Sequence, residues 1–329
     1  MGHMEQLVDT FGRVHRDLRI SVTDRCNFRC TYCMPEEGMN WLPRNDLLTF
    51  EEIERVASVL VQRFGVDSIR LTGGEPTIRA RMTLLVEKLA ALGTDLAMTT
   101  NATTLRLLAP ELKRAGLKRL NVSLDSLKAE RFFAMTRRDE LATVLDGIDA
   151  ALEAGFDPVK INCVVMKGTN DDEIVDFATW ARELGVVMRF IEFMPLDADN
   201  AWTNETVMSK ADIVERINAV YPLTPVQRTS APASDYTYDD GRGRIGVIAS
   251  VTESFCDSCD RIRLGAEGGF RNCLFAPDDT DLRTIIREGG TDDDLAAAMS
   301  GSVADKWSGH QINRVHFIRP SKSMSQLGG

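Results

Sequence analysis

The chain has 329 residues, 43% hydrophobic and 27% charged, with a formal net charge of −10. That acidity argues against a duplex nucleic-acid binder, which needs a basic footprint. With neither a run of ~18 apolar residues nor a signal-peptide pattern, no membrane or export route is marked, and a cytoplasmic protein is the expectation.

In chain order, Met1-Gly2-His3 ahead of Met4 reads as an expression scar, so residues 1–12 are set apart as scar and N-terminal segment. A strand is expected at 18–22, followed by a long loop and a helix after Thr49, where Thr49 and Glu52 form a capping box before Ile53, Val56 and Leu60. A second strand at 68–71 runs into Gly73-Gly74 and a helix near 82–92; a third at 95–99 precedes a helix near 105–115. The fourth, 119–123, is followed by two helical stretches. A fifth at 159–165 leads to a helix capped by Asn170 and ending by Gly185, and a sixth at 187–193 to a last helix near Ser209. Six βα units without a Rossmann glycine fingerprint after the first strand predict an α/β fold, an incomplete (β/α)6 TIM-type barrel over residues 13–226. Residues 227–245, polar and rich in Ser, Asp and Gly, read as a linker, and 246–329 as a small C-terminal cysteine-rich domain. Gly241, Gly243 and Gly246 match G-x-G-x-x-G, but off a strand-to-helix turn they are not expected to bind a nucleotide.

Seven unevenly spaced cysteines do not make a secreted disulfide framework. Cys26, Cys30 and Cys33 lie just past the first strand, where barrel enzymes build their sites. A closed zinc site wants four ligands, and no fourth Cys or His is nearby, His15 lying before the strand; three thiolates on a four-iron cluster leave one iron open. Cys256, Cys259 and Cys273 form a second triplet in a hairpin-like segment turning at Gly268-Gly269; a zinc ribbon completed by His310 or His316 stays open here. Cys163 alternates with Val159, Ile161 and Val165 and reads as a buried small hydrophobe. Lys160 and Asn162 take the opposite face, inside the barrel, where a lysine needs a partner such as phosphate. Arg261 and Arg263 share one face of a strand and suit a triphosphate, a solvated face being the alternative. Gly73-Gly74 lets backbone approach a ligand and Glu75 offers an acceptor for an ammonium, or the turn is a plain βα loop.

The first triplet, with Tyr32 beside Cys33, resembles the signature of the radical S-adenosylmethionine (SAM) superfamily. The second triplet, with Arg261 and Arg263 behind Cys259, resembles the auxiliary-cluster domain of the GTP 3′,8-cyclase family that opens molybdenum-cofactor biosynthesis. The resemblance covers nearly the whole chain. It implies two [4Fe–4S] clusters, SAM contacts at Tyr32, Gly74, Glu75, Ser123 and Met194, and GTP contacts at Arg19, Arg70, Thr99, Lys160, Arg261 and Arg263. Arg189 is held loosely, because alternation opposes it to Glu192 and Met194. Ser68 and Asp260 depart from some relatives, which have lysine and asparagine there. The implied reaction is reductive cleavage of SAM to methionine and a 5′-deoxyadenosyl radical, abstraction of the 3′ hydrogen of GTP, and attack of the ribose radical on C8. Implied partners are an electron donor and the next enzyme of molybdopterin synthesis, with a homodimer left open. The diglycine Gly328-Gly329 is implied to enter the active site of its own chain and position catalytic groups; a frayed terminus is the alternative. Two rivals are a twin-cluster radical SAM enzyme acting on a peptide and a zinc-stabilised binding protein.

Overall fold

Six consecutive strands each turn an apolar face to the helices and a polar face inward, and each feeds the helix that covers it. The computed structural model describes residues 5–37, 39–197, 201–228, 230–310, 312, 317, 319–320 and 322–328. β1 (Asp17–Ser21) is followed by α1 (Phe50–Phe64), β2 (Ser68–Thr72) by α2 (Met82–Ala90), and β3 (Asp95–Thr100) by α3 (Leu105–Arg114). β4 (Arg119–Ser123) leads to α4 (Ala129–Thr136) and α5 (Leu141–Glu153), β5 (Val159–Val165) to α6 (Ile174–Leu184), and β6 (Val187–Glu192) to α7 (Lys210–Asn218). The capping box at Thr49 and Glu52 is present in both directions, and Ser209 caps α7. Asn170 is a correction: its side chain caps no helix, and instead donates to the carbonyls of Asp125 and Val164 while accepting from Met166 N–H.

The strands run in the order β1-β2-β3-β4-β5-β6, all parallel. Leu18, Ile20, Ile69, Leu71, Leu120, Val122, Ile161, Cys163, Met188 and Phe190 belong to the core under the helices. Cys163 is thus the buried hydrophobe its alternation predicts. The residues between them, Arg19, Arg70, Asn121, Lys160, Asn162 and Arg189, share the other face.

Residues 227–245 are not a linker. After β7 (Leu223–Pro225) they contain β8 (Ser234–Tyr238) and the start of β9 (Arg244–Ile248), an antiparallel pair that joins the main sheet through β9 alongside β6. The glycines that suggested a flexible segment make the β8–β9 turn, Gly241 and Gly243 both having positive φ. The later part of the chain is likewise woven into the barrel: β10 (Arg261–Leu264) lies parallel to β1 and turns through Gly268 into β11 (Gly269–Arg271), with β12 (Thr280–Asp281) beyond. Three helices follow, α8 (Leu282–Arg287), α9 (Asp292–Ala304) and α10 (Met324–Leu327). Eight parallel strands, β10-β1-β2-β3-β4-β5-β6-β9, therefore form an arc whose two outer members do not pair, an incomplete barrel as expected. Among the described residues no helix is long and apolar enough to cross a membrane.

Candidate functional site

The loop after β1 carries Cys26, Cys30 and Cys33 to the carboxyl end of the arc, where all three line a cavity of about 180 Å³ together with Tyr32, Gly74, Glu75, Ser123 and Met194. Several anchors hold the loop: Asn27 is bonded to Thr103 and Asn101, and Phe28 stacks edge-on against Phe132 with centroids 5.8 Å apart. The glycine turn is the nearest brace. Gly74 N–H donates to Thr23 O at 2.7 Å and Glu75 N–H to Arg25 O at 2.8 Å. A Cβ on Gly73 would meet Thr23 O at 2.5 Å, and one on Gly74 would collide with the Arg25 carbonyl. The glycines are thus required by the cysteine loop they pack against. Gly74→Ala is expected to destabilise the protein by about 1–3 kcal/mol, the usual cost of overpacking, and to lower iron uptake, as read by thermal melting and iron counts.

Glu75 also proves busier than expected. Its carboxylate, 1% exposed, accepts from Thr77 N–H and Oγ1, Thr100 Oγ1 and Asn101 N–H, which takes most of its acceptor capacity. Tyr32 has a partner that sequence reasoning missed. Its hydroxyl donates to Asp125 Oδ2 at 2.6 Å while Val164 N–H holds Oδ1, and burial pushes the Asp125 carboxyl up to about 6. Burial likewise raises the Cys26 thiol to about 11, and Cys30 and Cys33 upward, so these sulfurs favour the thiolate form only against a metal's positive charge.

A second cavity, of about 130 Å³, shares Thr99, Asn162, Ile191, Met194 and Met324 with the first. Its wall is cationic. Strand register sets Arg263, Arg19 and Arg70 side by side on β10, β1 and β2, with Arg261 one step away beside Asp17. Arg189 joins them from β6, paired in register with Gly246 of β9. Alternation did not exclude Arg189: β6 ends at Glu192, so Met194 reaches the cavity from the turn beyond while Arg189 and Ile191 face it from the strand. The Nε atoms of Arg19, Arg70 and Arg189 and Nη2 of Arg261 are buried without a hydrogen-bond partner among the described residues. Burial and mutual repulsion pull Arg19 and Arg263 down to about 9 and Arg70 to about 10. Lys160, 8% exposed, falls to about 7 through burial and then Arg189. Asp17, 3.8 Å from Arg19 Nε, offsets only part of this positive charge, and a polyphosphate would supply the rest.

Cys256, Cys259 and Cys273 line the far side of this cavity. Burial pushes the Cys256 thiol up, but His310 and Ser254 outweigh it and bring it to about 7. Arg261 and Lys306 likewise lower Cys259 against its burial. Among the described residues no three His, Cys, Asp or Glu side chains are set to hold a single metal ion. Two open sets of three thiols, each facing a cavity, suit a larger cluster with one free iron. His316 lies outside the described residues.

The tail reaches the same place. Met324 of α10 lines both cavities, the Gly328 carbonyl accepts from Arg263 Nη1, and Lys322 pairs with Glu267 and Asp279. Gly328, at φ +73°, sits on β1 and β2: a Cβ there would be 2.8 Å from Thr72 Cγ2 and 3.3 Å from Ser21 Cβ. Gly329 lies outside the described residues. Arg263, expected to meet phosphate, thus already holds the tail.

A family model described as the Radical SAM superfamily matches residues 20–181, and one described as Molybdenum Cofactor Synthesis C matches residues 186–312. The border between them falls just before β6 rather than at the expected linker. A GTP 3′,8-cyclase from Streptomyces coelicolor is 47% identical over 98% of this chain and 96% of its own length. One from Rhodopirellula baltica is 48% identical over 98% of this chain and 92% of its own. The solved structure of Streptococcus suis SuiB bound to S-adenosylmethionine, 15% identical, covers 83% of this chain and 66% of its own with a TM-score of 0.55, a likeness of fold.

Proposed function

The chain belongs to the GTP 3′,8-cyclase family of the radical SAM superfamily, and from that premise we propose that it converts GTP to (8S)-3′,8-cyclo-7,8-dihydroguanosine 5′-triphosphate, the first step of molybdopterin biosynthesis. The observation that carries the reading is the junction of a thiol-lined cavity with a second one walled by arginines, four of which keep a buried nitrogen without a hydrogen-bond partner among the described residues. Cys26, Cys30 and Cys33 would hold one [4Fe–4S] cluster and Cys256, Cys259 and Cys273 another. When bound, the first cluster with SAM supplies a 5′-deoxyadenosyl radical that removes the 3′ hydrogen of GTP.

The protein's share is placement. Tyr32, steadied by Asp125, forms one wall of the SAM side with Ser123 and Met194. Arg19, Arg70, Arg189 and Arg261 neutralise the triphosphate, and Thr99, lining both cavities, marks where ribose meets the radical source; Lys160, on the same face of the sheet, lies outside the lining of either cavity. A small apolar cluster, Leu196, Val251, Phe275, Ile312 and Leu327 with Met194 and Met324 against it, keeps water from that junction. The reaction further requires an electron donor and an enzyme that takes up the product.

Arg70→Ala and Arg189→Ala are each expected to weaken GTP binding by about 1.5–3 kcal/mol, the worth of a hydrogen bond to a charged group, with iron content unchanged. Equilibrium titration of GTP against both variants measures this, and unaltered affinity in both would move the triphosphate elsewhere. SAM consumption that depends on GTP separates this reading from a peptide-modifying enzyme, which should ignore the nucleotide.

A further inference from the structure

The second cysteine triplet is braced from behind by the N-terminal segment, where Val8 and Val14 form a short antiparallel bridge. Arg13, held by Asp9 at 2.5 Å, donates to the carbonyls of Cys256 at 2.7 Å, Ser308 at 2.8 Å and Trp307 at 2.6 Å. Two residues on, His15 is fully buried, with Nδ1 3.3 Å from Leu7 O and Nε2 2.8 Å from Lys306 Nζ. An ammonium has donors only, so Nε2 accepts and the ring proton sits on Nδ1. The neutral ring agrees with a pKa lowered to about 4 by burial and then by Lys306.

Lys306 is 3% exposed. One of its protons goes to His15 and a second to Arg261 O at 3.0 Å; the third has Cys259 in reach, with O at 3.5 Å and Sγ at 3.8 Å. No carboxylate pairs with this ammonium among the described residues, although a buried charge ordinarily needs one. Burial opposes its charged form, whereas the sulfurs of Cys259 and Cys273, once ionised, favour it.

We propose that Lys306, aimed by His15, is a positioning residue for the second cluster, its ammonium donating to the Cys259 sulfur and supplying the fixed positive charge that sets the cluster's reduction potential. The inference rests on the reading of Cys256, Cys259 and Cys273 as cluster ligands. A donor and a cation beside a ligating thiolate favour the reduced, more negative cluster, so their removal drives the potential down.

The test uses the full chain with Cys26, Cys30 and Cys33 replaced by Ala, so that any remaining cluster belongs to the second triplet. Iron per chain, the electron paramagnetic resonance spectrum and the midpoint potential are measured after anaerobic reconstitution. Lys306→Met is expected to shift the midpoint to more negative values and alter the g values, and Lys306→Arg to restore most of both. His15→Leu, which releases the ammonium, should move them as Lys306→Met does, while His15→Gln, which keeps an acceptor, should not. Should Lys306→Met lose the cluster outright, its return in Lys306→Arg supports the charge assignment and its absence there overturns it. Full iron with an unchanged potential and spectrum in Lys306→Met sinks the inference alone. No iron in the parent sinks the second-cluster reading first.

Discussion

Replacing Cys256, Cys259 and Cys273 together with Ala abolishes formation of the cyclic product while leaving SAM cleavage intact. The expectation follows from the division of the site. Tyr32, Ser123 and Glu75 line the cavity of the first triplet, whereas the second triplet shares its cavity with Arg19, Arg70, Arg189 and Arg261. On the proposed reading, loss of the late sulfurs therefore alters the substrate's cavity and leaves the residues lining the SAM side in place. The fold should tolerate the change, because the three thiols are only partly buried and none is in a disulfide. Iron should fall by about half, as one of two four-iron clusters is lost. Formation of 5′-deoxyadenosine and of product, followed separately, gives the readout; cyclisation at the wild-type rate would remove the late triplet from the substrate.

Deleting Gly328 and Gly329 is expected to preserve the fold, both clusters and GTP binding while reducing turnover by about 100-fold, the scale of misplacing a group beside the reacting atoms. The structure supplies the reasons. The Gly328 carbonyl is held by Arg263, the capping box of Ser323 and Gln326 shapes the turn before it, and Lys322 anchors that turn to Glu267 and Asp279. Truncation would leave Arg263 without that partner and the helix in place. Gly328→Ala tests the same contact without shortening the chain, since its Cβ would press on Thr72 and Ser21 and φ is positive. A peptide copying the last residues, added in excess, should restore part of the truncated enzyme's rate. Full activity in both variants would return the tail to a frayed end.

Much of this architecture was legible locally. Alternation separated Leu18, Ile20, Ile161 and Cys163 from Arg19, Lys160 and Asn162, because a strand buried on one face and open on the other writes that difference into neighbouring residues. Thr49 and Glu52 announced their helix for the same local reason. What failed was long-range or terminal. The pairing of β10 with β1, which aligns Arg263 with Arg19, joins segments far apart in the chain, and no local pattern encodes it. The β8–β9 hairpin passed for a linker because its turn glycines and polar edge look the same either way. Arg189 was doubted because alternation was carried past Glu192, where the strand stops. Gly73 and Gly74 were legible as a close approach, but not as an approach to Thr23 and Arg25. Lys306 and His15 gave no signal at all, since their meaning lies in a contact across the chain.

A closed barrel has its girth fixed: strand number and shear admit one circumference, and every ladder must break to change it. Here the outermost parallel strands, β9 and β10, are hydrogen-bonded on one side to β6 and β1 and on the other to hairpin partners, never to each other. The ring is therefore a C-clamp with a seam. Its jaws carry Gly246 and Ile248 on one side and Arg261 and Arg263 on the other, so the aperture across the arginine chamber can widen or tighten by a small change in sheet coil without the loss of a single ladder bond. If the triphosphate binds there as proposed, the seam leaves the bore that admits and grips it unfixed by any ladder across the jaws.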